Sequence, residues 1–169
     1  MHLVECIPNP DLTPDLIEKI AALKSTFWRY PIESQIAWLR ERTSPDDMHF
    51  MIWDGDQLAA YLLLVWRKTT SGNRIGGLAT GVARPDKRGL GLGKTLFIAS
   101  TEMIVASKCG GLYSCKPNMV QFWRSLHNWR KCEAHILGED GKPFFVEQDV
   151  SCIGPVDERS TITLLGDRF

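Results

Sequence analysis

The stretch Val82-Ala83-Arg84-Pro85-Asp86-Lys87-Arg88-Gly89-Leu90-Gly91-Leu92-Gly93-Lys94-Thr95 decides how this chain is read. The apolar run Ile75 to Val82 leads into it, and a helical pattern from Gly93 to about Ser107 leads out. Between them lies a basic turn with glycine at alternate positions. Glycine lets the backbone take φ > 0 and lets a ligand come close to the main chain. A helix that starts at such a turn aims unpaired N–H groups and the positive end of its dipole at an anion. Strand, glycine turn and helix N-terminus together read as a pyrophosphate cradle.

Counting separates the kinds of cradle. A Walker loop needs Gly-x-x-x-x-Gly-Lys-Thr; Gly93-Lys94-Thr95 supplies the end, but the first glycine falls on Arg88. A dinucleotide fingerprint needs Gly-x-Gly-x-x-Gly, and the third site falls on Lys94 or Leu96, depending on the start. Arg88-x-x-Gly91-x-Gly93, after a strand ending at Val82, does fit a pattern. It resembles the acyl-CoA signature of the Gcn5-related N-acetyltransferase (GNAT) superfamily. The plain alternative is a glycine-rich turn that binds nothing.

Length and composition set the frame. A chain of 169 residues suits one domain, residues 1–169, with enough interior for a real core. Twenty basic and twenty acidic residues cancel, so bulk charge does not favour nucleic acid or an anionic membrane as a partner. The basic set Arg84, Lys87, Arg88 and Lys94 is concentrated at the glycine turn. The longest apolar run, Leu58 to Trp66, has strand length, short of the ~20 residues a membrane helix needs. No signal peptide is visible at the start. Five widely spaced cysteines without Cys-x-x-Cys, and four histidines without ligand spacing, point to a reducing cytoplasm and no metal.

Along the chain, His2 to Ile7 is a first strand, and Thr13-Pro14 caps a helix carrying Leu16, Ile20 and Leu23 on one face. Phe27-Trp28-Arg29-Tyr30-Pro31 interrupts it, and a second helix runs from Ile32 to about Ser44. Met48–Trp53 and Gln57–Trp66 form a hairpin through Asp54-Gly55-Asp56. After the glycine turn, Leu92, Leu96, Ala99, Met103 and Ala106 step at helical spacing. Leu112–Cys115 is a short strand, and Pro117-Asn118 opens a helix with Met119, Phe122, Leu126 and Trp129 as its inner stripe. Lys131–Leu137, Pro143–Val150 and Thr161–Leu165 read as strands, with residues 138–169 forming a C-terminal extension. The expected class is α+β, a mixed sheet of about seven strands flanked by helices, which is the fold the resemblance implies.

The resemblance also implies a site. Acetyl-CoA, or another acyl-CoA, would lie along Gly81, Val82 and Ala83, with its pyrophosphate on the N–H groups of Arg88, Gly89, Leu90, Gly91, Leu92, Gly93 and Lys94. Thr95 would add a hydroxyl, the Val82 N–H would meet the oxyanion, and Asn118 would touch the cofactor; Asn118 also reads as a simple N-cap. The acceptor, a primary amine of a small molecule or peptide, would face Trp28, Tyr30 and Glu33, with Trp53 and Trp66 nearby. A homodimer is among the assemblies this allows.

Two residues common in the family are missing. Gly77-Leu78-Ala79-Thr80-Gly81 carries no glutamate, and Trp123 stands where a tyrosine acid would be. Tyr113, Ser114 and Ser125 are the weak catalytic candidates, with Cys115 and His49 behind them. Two readings remain open: transfer by proximity with waters as proton carriers, or a degenerate module that binds acyl-CoA or a protein partner.

Overall fold

The structure, a computed structural model, describes residues 2–145, 149–156 and 161–166. After a short strand β1 (Glu5–Pro8), the Thr13 hydroxyl accepts the Leu16 N–H at 3.2 Å and starts α1 (Pro14–Ser25). Pro14 sits at the first helical position, where a missing N–H costs nothing. The aromatic loop leads to α2 (Ile32–Arg42). A hairpin then joins β2 (Met48–Asp54) to β3 (Gln57–Lys68) through Gly55 and Asp56, with Asp54 opposite Gln57. β3 is buried from Leu58 to Arg67, which is why its residues run continuously apolar instead of alternating.

β4 (Arg74–Ala83) enters the glycine turn and α3 (Leu92–Ala106) leaves it. The described elements end with β5 (Gly110–Cys115), α4 (Pro117–Arg124), β6 (Arg130–Lys131), β7 (His135–Gly138), β8 (Asp149–Ile153) and β9 (Thr161–Leu164). Seven strands form one sheet in the order β1-β2-β3-β4-β5-β8-β6. The sheet is mixed: β4 and β5 run parallel, whereas β1–β2, β2–β3, β5–β8 and β6–β8 are antiparallel. With its helices this is the α+β class expected from the sequence. β7 and β9 pair parallel in a separate two-stranded sheet.

The chain divides into two compact units. The first comprises Met1–Val65 and Ala79–Ala99; its buried side chains include Ile20, Leu39, Ile52, Leu64, Leu92 and Leu96. The second comprises Trp66–Leu78 and Ser100–Phe169, with Ile75, Leu112, Cys132, Ile136, Cys152 and Leu164 in one core cluster.

Several local expectations change. On α3, Leu92 and Leu96 are buried as expected, but the buried line continues through Ser100, Thr101 and Ile104, and Ala106 is exposed. α4 ends at Arg124, where the Ser125 hydroxyl donates to Phe122 O at 2.7 Å, so Leu126 and Trp129 lie beyond it. Its buried residue is Val120, while Met119 and Phe122 are 39 % and 48 % exposed. Trp129 is buried on its own account: its indole N–H donates to Thr101 Oγ1 at 3.1 Å, and it meets Tyr113 edge-on at 4.8 Å. The strand expected over Lys131–Leu137 splits into β6 and β7, which join different sheets. In the extension, Pro143 makes only an isolated bridge to Leu137, regular pairing begins at Asp149, and residues 146–148 of the expected strand lie outside the described residues.

Gly111 on β5 shows how tightly the second unit is packed. A Cβ there would lie 2.9 Å from Ile153 Cγ2, 3.0 Å from Ile104 Cγ2 and 3.1 Å from the Trp129 ring. Gly111→Ala is expected to destabilise the protein by about 1–3 kcal/mol through overpacking. A urea unfolding midpoint equal to wild type would contradict that.

Candidate functional site

β4 and β5 pair from Ile75↔Gly110 to Leu78↔Tyr113, and the ladder stops there. Two residues later Thr80 takes φ 44°, a conformation that costs a β-branched residue on the order of 1–3 kcal/mol. Beyond it the Arg84 N–H donates to Ala59 O on β3 at 2.8 Å. Backbone groups alternate sides along a strand, so Val82 also faces β3, while Gly81 and Ala83 turn their N–H and C=O the other way. The Arg88 Nε–H reaches Ala83 O at 3.3 Å on that side. Val82, expected to donate to an oxyanion, is therefore turned toward β3, and its side chain is 7 % exposed.

The turn itself is built for N–H presentation. Gly89 and Gly91 have φ of 80° and 79°, and an added Cβ at either would meet nothing within 4 Å. The glycines are required by conformation and not by crowding. Alternating backbone of this kind forms a concave nest of N–H groups. The first helical bond of α3 is Thr95 N–H to Gly91 O at 3.0 Å, so the N–H groups of Leu92, Gly93 and Lys94 precede any intrahelical acceptor. The Thr95 hydroxyl donates to the same carbonyl at 3.2 Å and would have to rotate to meet a ligand. Leu92 is buried, whereas Leu90 is 57 % exposed.

Only part of the basic set is available to an anion. Arg84 binds Asp86 and Asp54, each at 2.7 Å, and Gln57 Oε1 at 2.7 Å; Lys87 Nζ binds Asp54 Oδ2 at 2.7 Å. Lys87 and then Arg84 hold the Asp54 carboxyl below its ordinary range. Arg88 and Lys94 are exposed and make no ion pair among the described residues.

Of the residues expected to face the acceptor, Tyr30 is 65 % exposed, Glu33 is exposed and Trp28 is half-buried. Phe27, which is not among the expected acceptor residues, packs edge-on against Trp28 at 4.9 Å and its ring centre lies 5.8 Å from the Arg88 guanidinium. The aromatic loop and the glycine turn thus touch. Trp53 is elsewhere: its indole N–H donates to Glu5 on β1, with the Lys19 ammonium 5.5 Å away. Trp66 belongs to the second unit, under Arg74 at 4.1 Å.

The first unit also buries groups with weak sequence signals. His49 is not at an edge, since β2 lies between β1 and β3, and it is fully buried. Its Nε2 is 3.1 Å from Asn9 Oδ1, an acceptor, so Nε2 carries the proton and Nδ1 accepts the Tyr61 O–H at 2.8 Å. Burial, then the nearby Lys24 charge, pushes the imidazole down to about 4. His49 is thereby a neutral bridge and a poor base. The fully buried Tyr61 hydroxyl lies near Thr80 Oγ1, which is sealed from solvent without a partner of hydrogen-bonding geometry. Lys24 is 2 % exposed, with its ammonium 3.7 Å from the Trp38 ring centre, and burial lowers it to about 8. A desolvated cation–π contact returns about 2 kcal/mol, less than the several kcal/mol that burying an ion costs.

The other sequence candidates sit in the second unit. Burial raises Tyr113 and Cys115 above their ordinary values, so neither is poised to exchange a proton near neutrality. Ser114 is half-buried, and Ser125 spends its proton on Phe122 O as a helix C-cap. Asn118 is exposed and is not the N-cap, which is Lys116. Arg124, beside Trp123, donates to Ser151 Oγ at 2.8 Å.

This strand order, with β4 leading into the glycine turn and helix, is the GNAT acyl-CoA N-acyltransferase fold. Among solved structures the chain is similar to a GNAT-family N-acetyltransferase, YhbS, from Escherichia coli in complex with CoA, at TM-score 0.69 and 13 % identity over 98 % of this chain and 89 % of that one. It is similar to Escherichia coli ElaA at TM-score 0.66 and 15 % identity, and to an acyl-CoA N-acyltransferase from Pseudomonas aeruginosa at 0.64 and 16 %. Both of the latter cover 90 % of this chain and 99 % of their own. No protein-family model and no curated protein sequence matches the chain.

The buried histidine sets an acid limit. Between pH 6.5 and about 4 the unfolded chain takes up a proton that folded His49 refuses, so stability falls as pH drops through that window. The loss is expected to reach up to about 3 kcal/mol. Denaturation midpoints from pH 7 to 4 should show it, with a flatter profile for His49→Gln; an identical slope in the variant would exclude His49 as the source.

Proposed function

We propose that the chain is an acyl-CoA-dependent N-acyltransferase that uses acetyl-CoA and acylates a primary amine of a small molecule or peptide. The observation that carries this reading is β4 beyond Leu78, which has left β5 and runs into a nest of N–H groups at the start of a helix. The Gly81 C=O and the Ala83 N–H suit the amides of a pantetheine arm, and the turn from Arg88 to Lys94 suits a pyrophosphate. A solved protein of this fold carries CoA.

In the chemistry this supports, the amine nitrogen attacks the thioester carbon, the carbonyl oxygen gathers charge, the C–S bond breaks and the thiolate takes up a proton. Strand alternation makes Gly81 N–H, in place of Val82, the donor for the oxyanion, a fixed dipole in the manner that most lowers such barriers. This reading assigns no side chain as general acid; waters carry the protons and positioning supplies the rate. The same reading makes the protein a cytoplasmic enzyme of one domain, a monomer or homodimer. No helix among the described residues is long and apolar enough to cross a membrane.

A second reading rests on Trp123, whose indole N–H donates but cannot titrate, and on the raised Tyr113 and Cys115. In it, the protein holds acyl-CoA, or a protein partner, without turnover. Thiol release from acetyl-CoA with a panel of amines separates the two. Turnover above hydrolysis supports the enzyme; stabilisation by acetyl-CoA of about 2.7 kcal/mol at a hundredfold excess over Kd, with no turnover, supports the binder. Absence of both turnover and stabilisation would remove acyl-CoA from the account.

Gly91→Ala tests the cradle. Alanine at φ near 79° costs about 1–2 kcal/mol, which favours a free turn relaxed out of that conformation, so CoA is expected to bind about tenfold more weakly with the fold intact. Unchanged CoA affinity in a titration would sever the turn from the ligand.

A further inference from the structure

Lys24 and Gln35 are the unexplained polar residues of the first unit. Both are buried, at 2 % and 5 % exposure, on helices that pack against each other. Neither side chain has a hydrogen-bond or ion-pair partner among the described residues, and neither end is sealed from solvent as Thr80 Oγ1 is. The Lys24 ammonium lies on Trp38, and Gln35 is three residues before Trp38 on α2, about one turn along the same helix. A buried cation held by an aromatic face alone is under-compensated, and an amide about one helical turn from that ring has N–H groups to offer a ligand that reaches both. Such groups suit an anion.

The surroundings say which molecule brings it. The carbonyl of Lys24 accepts the N–H groups of Phe27 and Trp28 at 3.0 and 2.9 Å, so the residue that aims the ammonium also anchors the aromatic loop. That loop touches the glycine turn through Arg88. His49, the titratable group facing Lys24 from β2, is neutral and adds no second cation. A single ammonium with an amide matches a monoanion. Resting on the acyltransferase reading, we propose that Lys24 and Gln35 bind a carboxylate of the acceptor, making the substrate an amino acid or a related amine that bears a carboxylate.

Matched acceptors differing only in that group test it: phenylalanine against phenylalaninamide, and 4-aminobutyrate against butylamine, with acetyl-CoA as donor. Wild type is expected to favour the carboxylate member in kcat/KM by about tenfold to a hundredfold, the range of a charge-assisted contact. Lys24→Met, which removes an under-compensated buried charge and so should not unfold the protein, is expected to bring that ratio to about one. Gln35→Leu should lower it partway. Thermal-shift titration of the same four compounds, without acetyl-CoA, reads the subsite independently of chemistry. Equal kcat/KM for both members of each pair, or a preference surviving in Lys24→Met, overturns the carboxylate site while leaving acyl transfer standing. No turnover, but carboxylate-selective stabilisation lost in Lys24→Met, keeps the site and rejects the transfer. Neither turnover nor selective stabilisation rejects both.

Discussion

A strand that stops pairing before it ends organises everything around it. β4 leaves β5 after Leu78, passes through the strained Thr80 and continues to Ala83 on the β3 side, where the Arg84 N–H is held by Ala59. Main-chain N–H and C=O groups are costly to leave without partners. At Gly81 and Ala83 they are nevertheless turned away from β3, and Arg88 satisfies one of them by folding back. An exposed strand edge of this kind is a docking template. Arg84, bound to Asp54 and Asp86, fixes the direction in which the chain leaves this strand for the turn.

Electrostatics divides the first unit into spent and available charge. Arg84 and Lys87 look, by sequence, like half of a basic patch, yet Asp54 of the hairpin turn neutralises both. In the proposed function the turn would attract an anion through its N–H groups, Arg88 and Lys94, and less through net charge. Deeper in, burial decides ionisation. His49 is kept neutral, while Lys24 keeps a charge that its surroundings match incompletely. The two effects are linked, because the Lys24 charge disfavours a second cation on His49.

Most of the fold was legible because its signals are local. The hairpin at Asp54-Gly55-Asp56, the Thr13 cap and the buried run of β3 each depend on neighbours a few residues away. Errors arose where a distant partner took over. Lys131–Leu137 reads as one strand, but β8 captures its start and β9 its end, from about twenty to thirty residues further on. Met119 and Phe122 have helical spacing, yet α4 is too short for spacing alone to choose its buried face. His49 and Lys24 gave almost no signal, since a lone histidine or lysine carries no periodicity.

The sequence by itself determined that a glycine turn joins a strand to a helix, and that the spacing Arg88-x-x-Gly91-x-Gly93 excludes the Walker and dinucleotide loops. Those properties follow from residue type and count, because glycine alone enters the left-handed region cheaply. Tertiary structure decided which backbone groups are offered and which charges remain. Strand alternation faces Gly81 and Ala83 outward and Val82 inward, and this depends on β3, from another part of the chain. The same holds for Lys24 and Gln35: burial and lack of partners belong to the packed α1–α2 pair, and no local pattern encodes them.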